Sequence, residues 1–185
     1  TFKSSFDYTS YGLTKYCHYP YKKEDVQVAI VQKDKDHISK DPQTFPEVLI
    51  LAEEYANSFE NYRKIIYSYL KQHIEKVGKI TFYGAGHDAV MFINAFQIEE
   101  FIEFIVDDTE NKQKLYLAGT SLQIKSSEFL SFENFSLCIL CLNIDIQDVI
   151  LKKNKQFIAD GGIFSSIYPM QKNSLFNLAS NNLKI

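Results

Sequence analysis

The chain has 185 residues, 45% of them hydrophobic and 23% charged, with a formal net charge of -3. That length suits one α/β domain with a solid core and an appended element, and the composition is that of a globular protein. Lys and Asp/Glu are interspersed, no apolar run approaches the roughly 20 residues of a membrane span, and no signal peptide opens the chain, so neither nucleic acid nor membrane is an expected partner.

The sequence begins at Thr1 without an initiator Met, and we expect a piece of something longer. Residues 1–24 carry Phe2, Phe6, Tyr8, Tyr11, Tyr16, Tyr19 and Tyr21 in no clear period. Chains that stay unfolded are poor in such side chains, so this stretch is expected to lie against another surface. Residues 25–32 (DVQVAIVQ) read as a strand, and 33–41 as a charged loop in which His37 is solvated. Residues 1–45 thus form an N-terminal extension with one strand, packed on the domain or left from a preceding one. Thr44, Pro46 and Glu47 make a helix start, with Thr44 as cap, Glu47 completing a capping box and Pro46 in the first turn. Val48, Ala52, Tyr55, Phe59, Tyr62, Ile66 and Tyr69 then recur in steps of four and three. A helix over 46–78, ended by Gly78, would span roughly 46 Å, and a break near Asn57-Ser58 is expected at that length. It is either a packing helix or a strut for docking or homodimerisation. His73 falls on its seam and reads as a core or boundary histidine.

Residues 79–83 (KITFY) are a short β-branched and aromatic strand that stops at Gly84. Gly84-Ala85-Gly86 opens a helix over 87–97, with Val90, Ile93 and Phe96 at helical spacing, and 101–106 is a second strand ending in Asp107-Asp108. That is half of a Rossmann-like unit. A short strand at 122–124, a strand at 135–142, a helix from 145 to 154 and a strand at 163–167 after Gly161-Gly162 follow. Lys152 and Lys153 suit the helix dipole, and the tail to Ile185 is helical or loose. The fold class is therefore α/β: a Rossmann-like parallel sheet flanked by helices over 79–185, preceded by a long helix and an N-terminal strand.

Cys17, Cys138 and Cys141 are the three cysteines. Cys138 and Cys141 lie three apart on a strand and point to opposite faces, so they read as core residues rather than a metal or redox pair. No metal site is expected, and an odd count without a secretion signal fits a reducing cytoplasm.

A strand ending in Gly-x-Gly at a helix start presents backbone N–H groups to a phosphate. Here the pattern is Gly84-x-Gly86-x-x-Ala89, and Asp107 and Asp108 stand where an acidic residue accepts ribose hydroxyls. His87 can donate to a phosphate, whereas Asp88 would repel one. The alternative stays open that the glycines only make a close turn and the aspartates cap the next loop.

Tyr83-Gly84-Ala85, Val106-Asp107-Asp108, Lys112-Gln113, Gly119-Thr120, Asn143 and Gly161-Gly162-x-Phe164 through Pro169 follow one another in an order that resembles the C-terminal domain of the sugar-nucleotide C-methyltransferases. The resemblance covers about residues 80–169, and the long helix has a family counterpart. It implies a Rossmann-like domain that helps bind a nucleotide-linked deoxysugar, preceded in the full chain by a zinc-binding domain and an S-adenosylmethionine domain. Together with the Gly-x-Gly reading it puts Gly84, Ala85 and Gly86 at the pyrophosphate with His87 nearby, Asp107 or Asp108 at ribose or sugar hydroxyls, Lys112 at a phosphate, and Asn143, at the end of its strand, among the ligand-binding residues. Departures are Asp88 for the family's lysine, Ala89 for the following glycine and Ala118 for the proline before Gly119. The chain is expected to bind no cofactor, to carry no catalytic residue and to methylate nothing alone. Two other readings stay open: a nucleotide-sugar-binding domain of the acetyltransferase type, and a non-catalytic docking or dimerisation domain.

Overall fold

A computed structural model describes residues 13–20, 27–33, 46–132 and 134–183. The aromatic residues before position 13, His37 and the Thr44 cap lie outside the described residues. The chain divides into two units between Glu54 and Tyr55. In the first, β1 (Leu13–Pro20) and β2 (Gln27–Lys33) pair antiparallel, with an irregularity between Lys15 and Cys17. The sequence shows only the second of these strands. LTKYCHYP lacks strict alternation, and a register shift inside it breaks the period that marks a strand.

Helix α1 (Pro46–Lys76) is unbroken over 31 residues, so the expected break at Asn57-Ser58 does not occur. Ser58 turns its hydroxyl onto the Tyr55 carbonyl at 2.9 Å, which satisfies a polar side chain inside a helix. The helix then delivers Ile65, Ile66, Tyr69 and Leu70 to the core.

The second unit is built on five parallel strands: β3 (Lys79–Tyr83), β4 (Ile102–Val106), β5 (Ile124–Lys125), β6 (Phe135–Leu140) and β7 (Ile163–Ser166). Their order is β5-β4-β3-β6-β7. The chain builds outward from β3 on one side and then crosses back to β6 on the other. That is the Rossmann order, with its reversal between β3 and β6. Alternate residues feed two cores. Ile80, Phe82, Ile105, Leu137 and Ile139 face one side, with α1, α2 (His87–Phe96) and α6 (Leu175–Leu183) upon them. Tyr83, Phe104, Val106, Cys138 and Leu140 face the other, under α3 (Phe129–Phe132), α4 (Ile144–Lys153) and α5 (Lys155–Ala159). Cys138 and Cys141 thus belong to opposite faces, both buried and free, and burial pushes their thiols well above the usual range.

Candidate functional site

The end of β3 is knit to both neighbours: the Gly84 N–H donates to the Val106 carbonyl and the Cys141 N–H to the Tyr83 carbonyl, each at 2.8 Å. Gly84 has a φ of +103°, and a Cβ there would sit 2.7 Å from the Cys141 carbonyl oxygen. Only glycine fits a turn that passes this close to the next strand. Gly86 differs. It is the cap of α2 in extended conformation (φ -119°, ψ -171°), and a Cβ there would meet nothing within 4 Å. Its bare backbone keeps the approach to the helix N-terminus open.

Beyond β4, the two aspartates are held by different partners. Asp107, only 7% exposed, accepts on Oδ2 from the Ala85 N–H at 2.8 Å and from Lys112 Nζ at 3.1 Å, and on Oδ1 from the Thr109 N–H at 2.9 Å. It therefore joins the glycine turn to the loop after β4. Burial would raise its carboxyl, but the donors of Thr109, Ala85 and Lys112 outweigh that and hold its pKa below the usual range. Asp108 accepts from the Tyr83 hydroxyl, from Ser127 Oγ and from Lys153 Nζ, the last two at 2.5 Å. Burial pushes this carboxyl up as well, and Lys153, Ser127 and Tyr83 pull it below the ordinary value. Burial and the bond to Asp108 raise the Tyr83 hydroxyl. A third carboxylate, Asp88 in the first turn of α2, accepts from the Tyr168 hydroxyl at 2.7 Å. Burial, then Asp88, pushes Tyr168 up to about 12.

These groups border a crevice of about 440 Å³ at the strand ends of β3 and β6. Open α/β sheets bind ligands at such a reversal, and the volume lies in the range of small-molecule sites. Gly84, Gly86, His87, Asp107, Asp108 and Lys112 all line it, so the structure brings together six of the eight residues singled out by the sequence. Ala85 is buried behind the wall with its N–H given to Asp107. Asn143 does not line the crevice; it caps α4, with its side-chain oxygen accepting from the Asp145 N–H at 3.1 Å. Sequence reasoning missed Tyr83, Asp88 as a lining group, Thr109, Cys141, Leu142, Ile146 and Ile150 on the wall, and Tyr168 and Lys153 as partners of its carboxylates. Lys153 was legible only as a helix-dipole cation. Tyr168 stands 80 residues from Asp88, a pairing that no local pattern announces. A second cavity of about 510 Å³ between α1, α2 and α6 is walled mainly by aromatic rings, with Ser58, Asn177 and Ser180 as polar groups and no charged side chain.

The family model described as C-methyltransferase C-terminal domain matches residues 24–169. The chain belongs to that family. No curated protein matches it. In this C-methyltransferase C-terminal domain the matched span holds every residue of the crevice wall together with Tyr168, and ends before α6. Among the described residues, no helix is long and apolar enough to cross a membrane, and no group of three His, Cys, Asp or Glu side chains is placed to hold a metal ion.

Proposed function

We propose that the chain is the nucleotide-sugar-binding C-terminal domain of an S-adenosylmethionine-dependent sugar C-methyltransferase, acting in deoxysugar biosynthesis in the cytoplasm. The observation that carries this reading is the crevice at the β3/β6 reversal, with the first turn of α2, which bears Asp88, on one side and fixed hydrogen-bonding side chains on the other. Methyl transfer to carbon needs a cofactor, a base and an acidified C–H. We assign the cofactor and the base to a domain preceding this one; the acidified C–H belongs to the sugar, which the chain described here holds. Membership in the C-methyltransferase family favours this reading over a domain of the acetyltransferase type. Calorimetric titration with dTDP-, UDP- and GDP-sugars, NAD(P) and S-adenosylmethionine is the test. Saturable heat from a nucleotide-sugar is expected; heat only from NAD(P) or S-adenosylmethionine, or from none, would overturn it.

A second reading has one observation in its favour. Leu49, Ile50, Leu51 and Tyr55 on the first half of α1 are 53%, 54%, 64% and 71% exposed, a run of apolar surface that suits docking or homodimerisation. Molar mass in solution, for the wild type and for Tyr55→Glu, tests it: an oligomer that Tyr55→Glu disrupts supports assembly, and a monomer in both removes it.

A further inference from the structure

The three carboxylates around the crevice are not equivalent. Asp107 and Asp108 each accept on both oxygens and each pair with a lysine, Lys112 and Lys153. Asp88 accepts from Tyr168 on Oδ2 alone and pairs with no cation among the described residues. It sits in the first turn of α2, where the helix would otherwise present its positive end to an anion. A carboxylate there already answers the helix dipole, repels a second anion and offers acceptor lone pairs to hydroxyl donors. Tyr168 is itself fixed: its N–H donates to Ser166 Oγ at 3.2 Å, and the preceding Ile167 N–H donates to the Leu140 carbonyl at the end of β6, also at 3.2 Å. The hydroxyl that steers Asp88 thus comes from a segment just past β7 that is tied back to the end of the sheet.

We propose that Asp88, oriented by Tyr168, is the specificity-determining residue of the crevice, taking hydroxyl groups of a sugar ring and turning the ligand's diphosphate away from the α2 N-terminus. This rests on the nucleotide-sugar reading above and reverses the orientation expected of a Gly-x-Gly turn. Titration of the wild type, Asp88→Asn and Tyr168→Phe with dTDP-glucose and with inorganic pyrophosphate, followed by calorimetry and by backbone amide shifts of residues 84–89, tests it. Pyrophosphate is expected to leave those amides unmoved in the wild type and to bind Asp88→Asn. The same substitution is expected to weaken dTDP-glucose by about tenfold, and Tyr168→Phe by less, since a hydrogen bond to a charged group is lost or loosened. Pyrophosphate seated on residues 84–89 of the wild type, or dTDP-glucose held equally well by Asp88→Asn, overturns the proposal alone. No nucleotide-sugar bound by the wild type overturns the reading beneath it.

Discussion

Where the strands of the sheet begin, His73 is buried against Ser136; where they finish, Asp88, Asp107 and Asp108 border an open crevice. The lower group is closed and neutral. Ser136 Oγ donates to the Lys79 carbonyl at 3.2 Å and so accepts from His73 Nε2–H at 2.7 Å, leaving Nδ1 to accept from the Tyr69 hydroxyl at 3.5 Å. Burial lowers the His73 pKa, keeping the ring neutral, and pushes Tyr69 up to about 12. These polar groups are used up in fastening α1 to the sheet. The upper group is charged, and one of its carboxylates keeps acceptor capacity to spare. One fold therefore satisfies its polar groups fully at one end and leaves them incompletely satisfied at the other, which is where a ligand can be held.

The sharpest break in this comparison lies inside the upper group. Gly84→Ala forces a side chain into the Cys141 carbonyl at a positive φ, and is expected to cost about 3 kcal/mol or more and to abolish ligand binding. Gly86→Ala meets open space at an ordinary backbone angle and is expected to cost under about 1 kcal/mol. Denaturant unfolding of the two variants checks the contrast; equal costs would mean that the close approach at Gly84 is not what shapes the turn. At the lower end, Ser136→Ala leaves His73 Nε2–H buried without its partner and is expected to cost about 1–3 kcal/mol by the same measurement.

The two ends also separate by pH. The folded pKa of His73 is depressed, so below about 6.5 the unfolded chain takes up a proton that the folded chain refuses, and stability falls as pH drops from there. Asp107 and Asp108 are depressed too, but their stabilisation is complete above about pH 4 and is lost only as pH falls further, through their folded values. In a pH series of unfolding curves, His73→Gln is expected to flatten the upper segment and Asp107→Asn the lower. The smallest effect is expected from Lys153→Ala: with its side chain 51% exposed, the ion pair to Asp108 contributes about 0.2–1 kcal/mol, screened by salt.

How much of this was legible follows from how local each feature is. KITFY stops at a glycine and the next apolar run stops at two aspartates, so β3, α2 and β4 announce their own ends, and the crevice between them could be located. The short helices α3 and α5 carry too few residues to show a period, and β1 hides its alternation behind a register shift. His73 was visible as a seam residue, but its bond to Ser136 spans 63 positions and depends on α1 meeting the start of β6. The spacing put Asp107 near the glycine turn; that its oxygens meet Ala85, Thr109 and Lys112 follows from β3 and β4 pairing in parallel register. Whether a carboxylate has acceptor capacity left over is a property of assembled neighbours, so it could not be read from spacing.

The most direct test is a backbone amide shift map of the chain titrated with dTDP-glucose. Saturable shifts at Gly84, Gly86, Thr109 and Leu142, with His73 and Ser136 silent, are the predicted result. Shifts confined to α1 or to the His73–Ser136 end, or no shifts at all, would contradict the assignment of the crevice as the binding site.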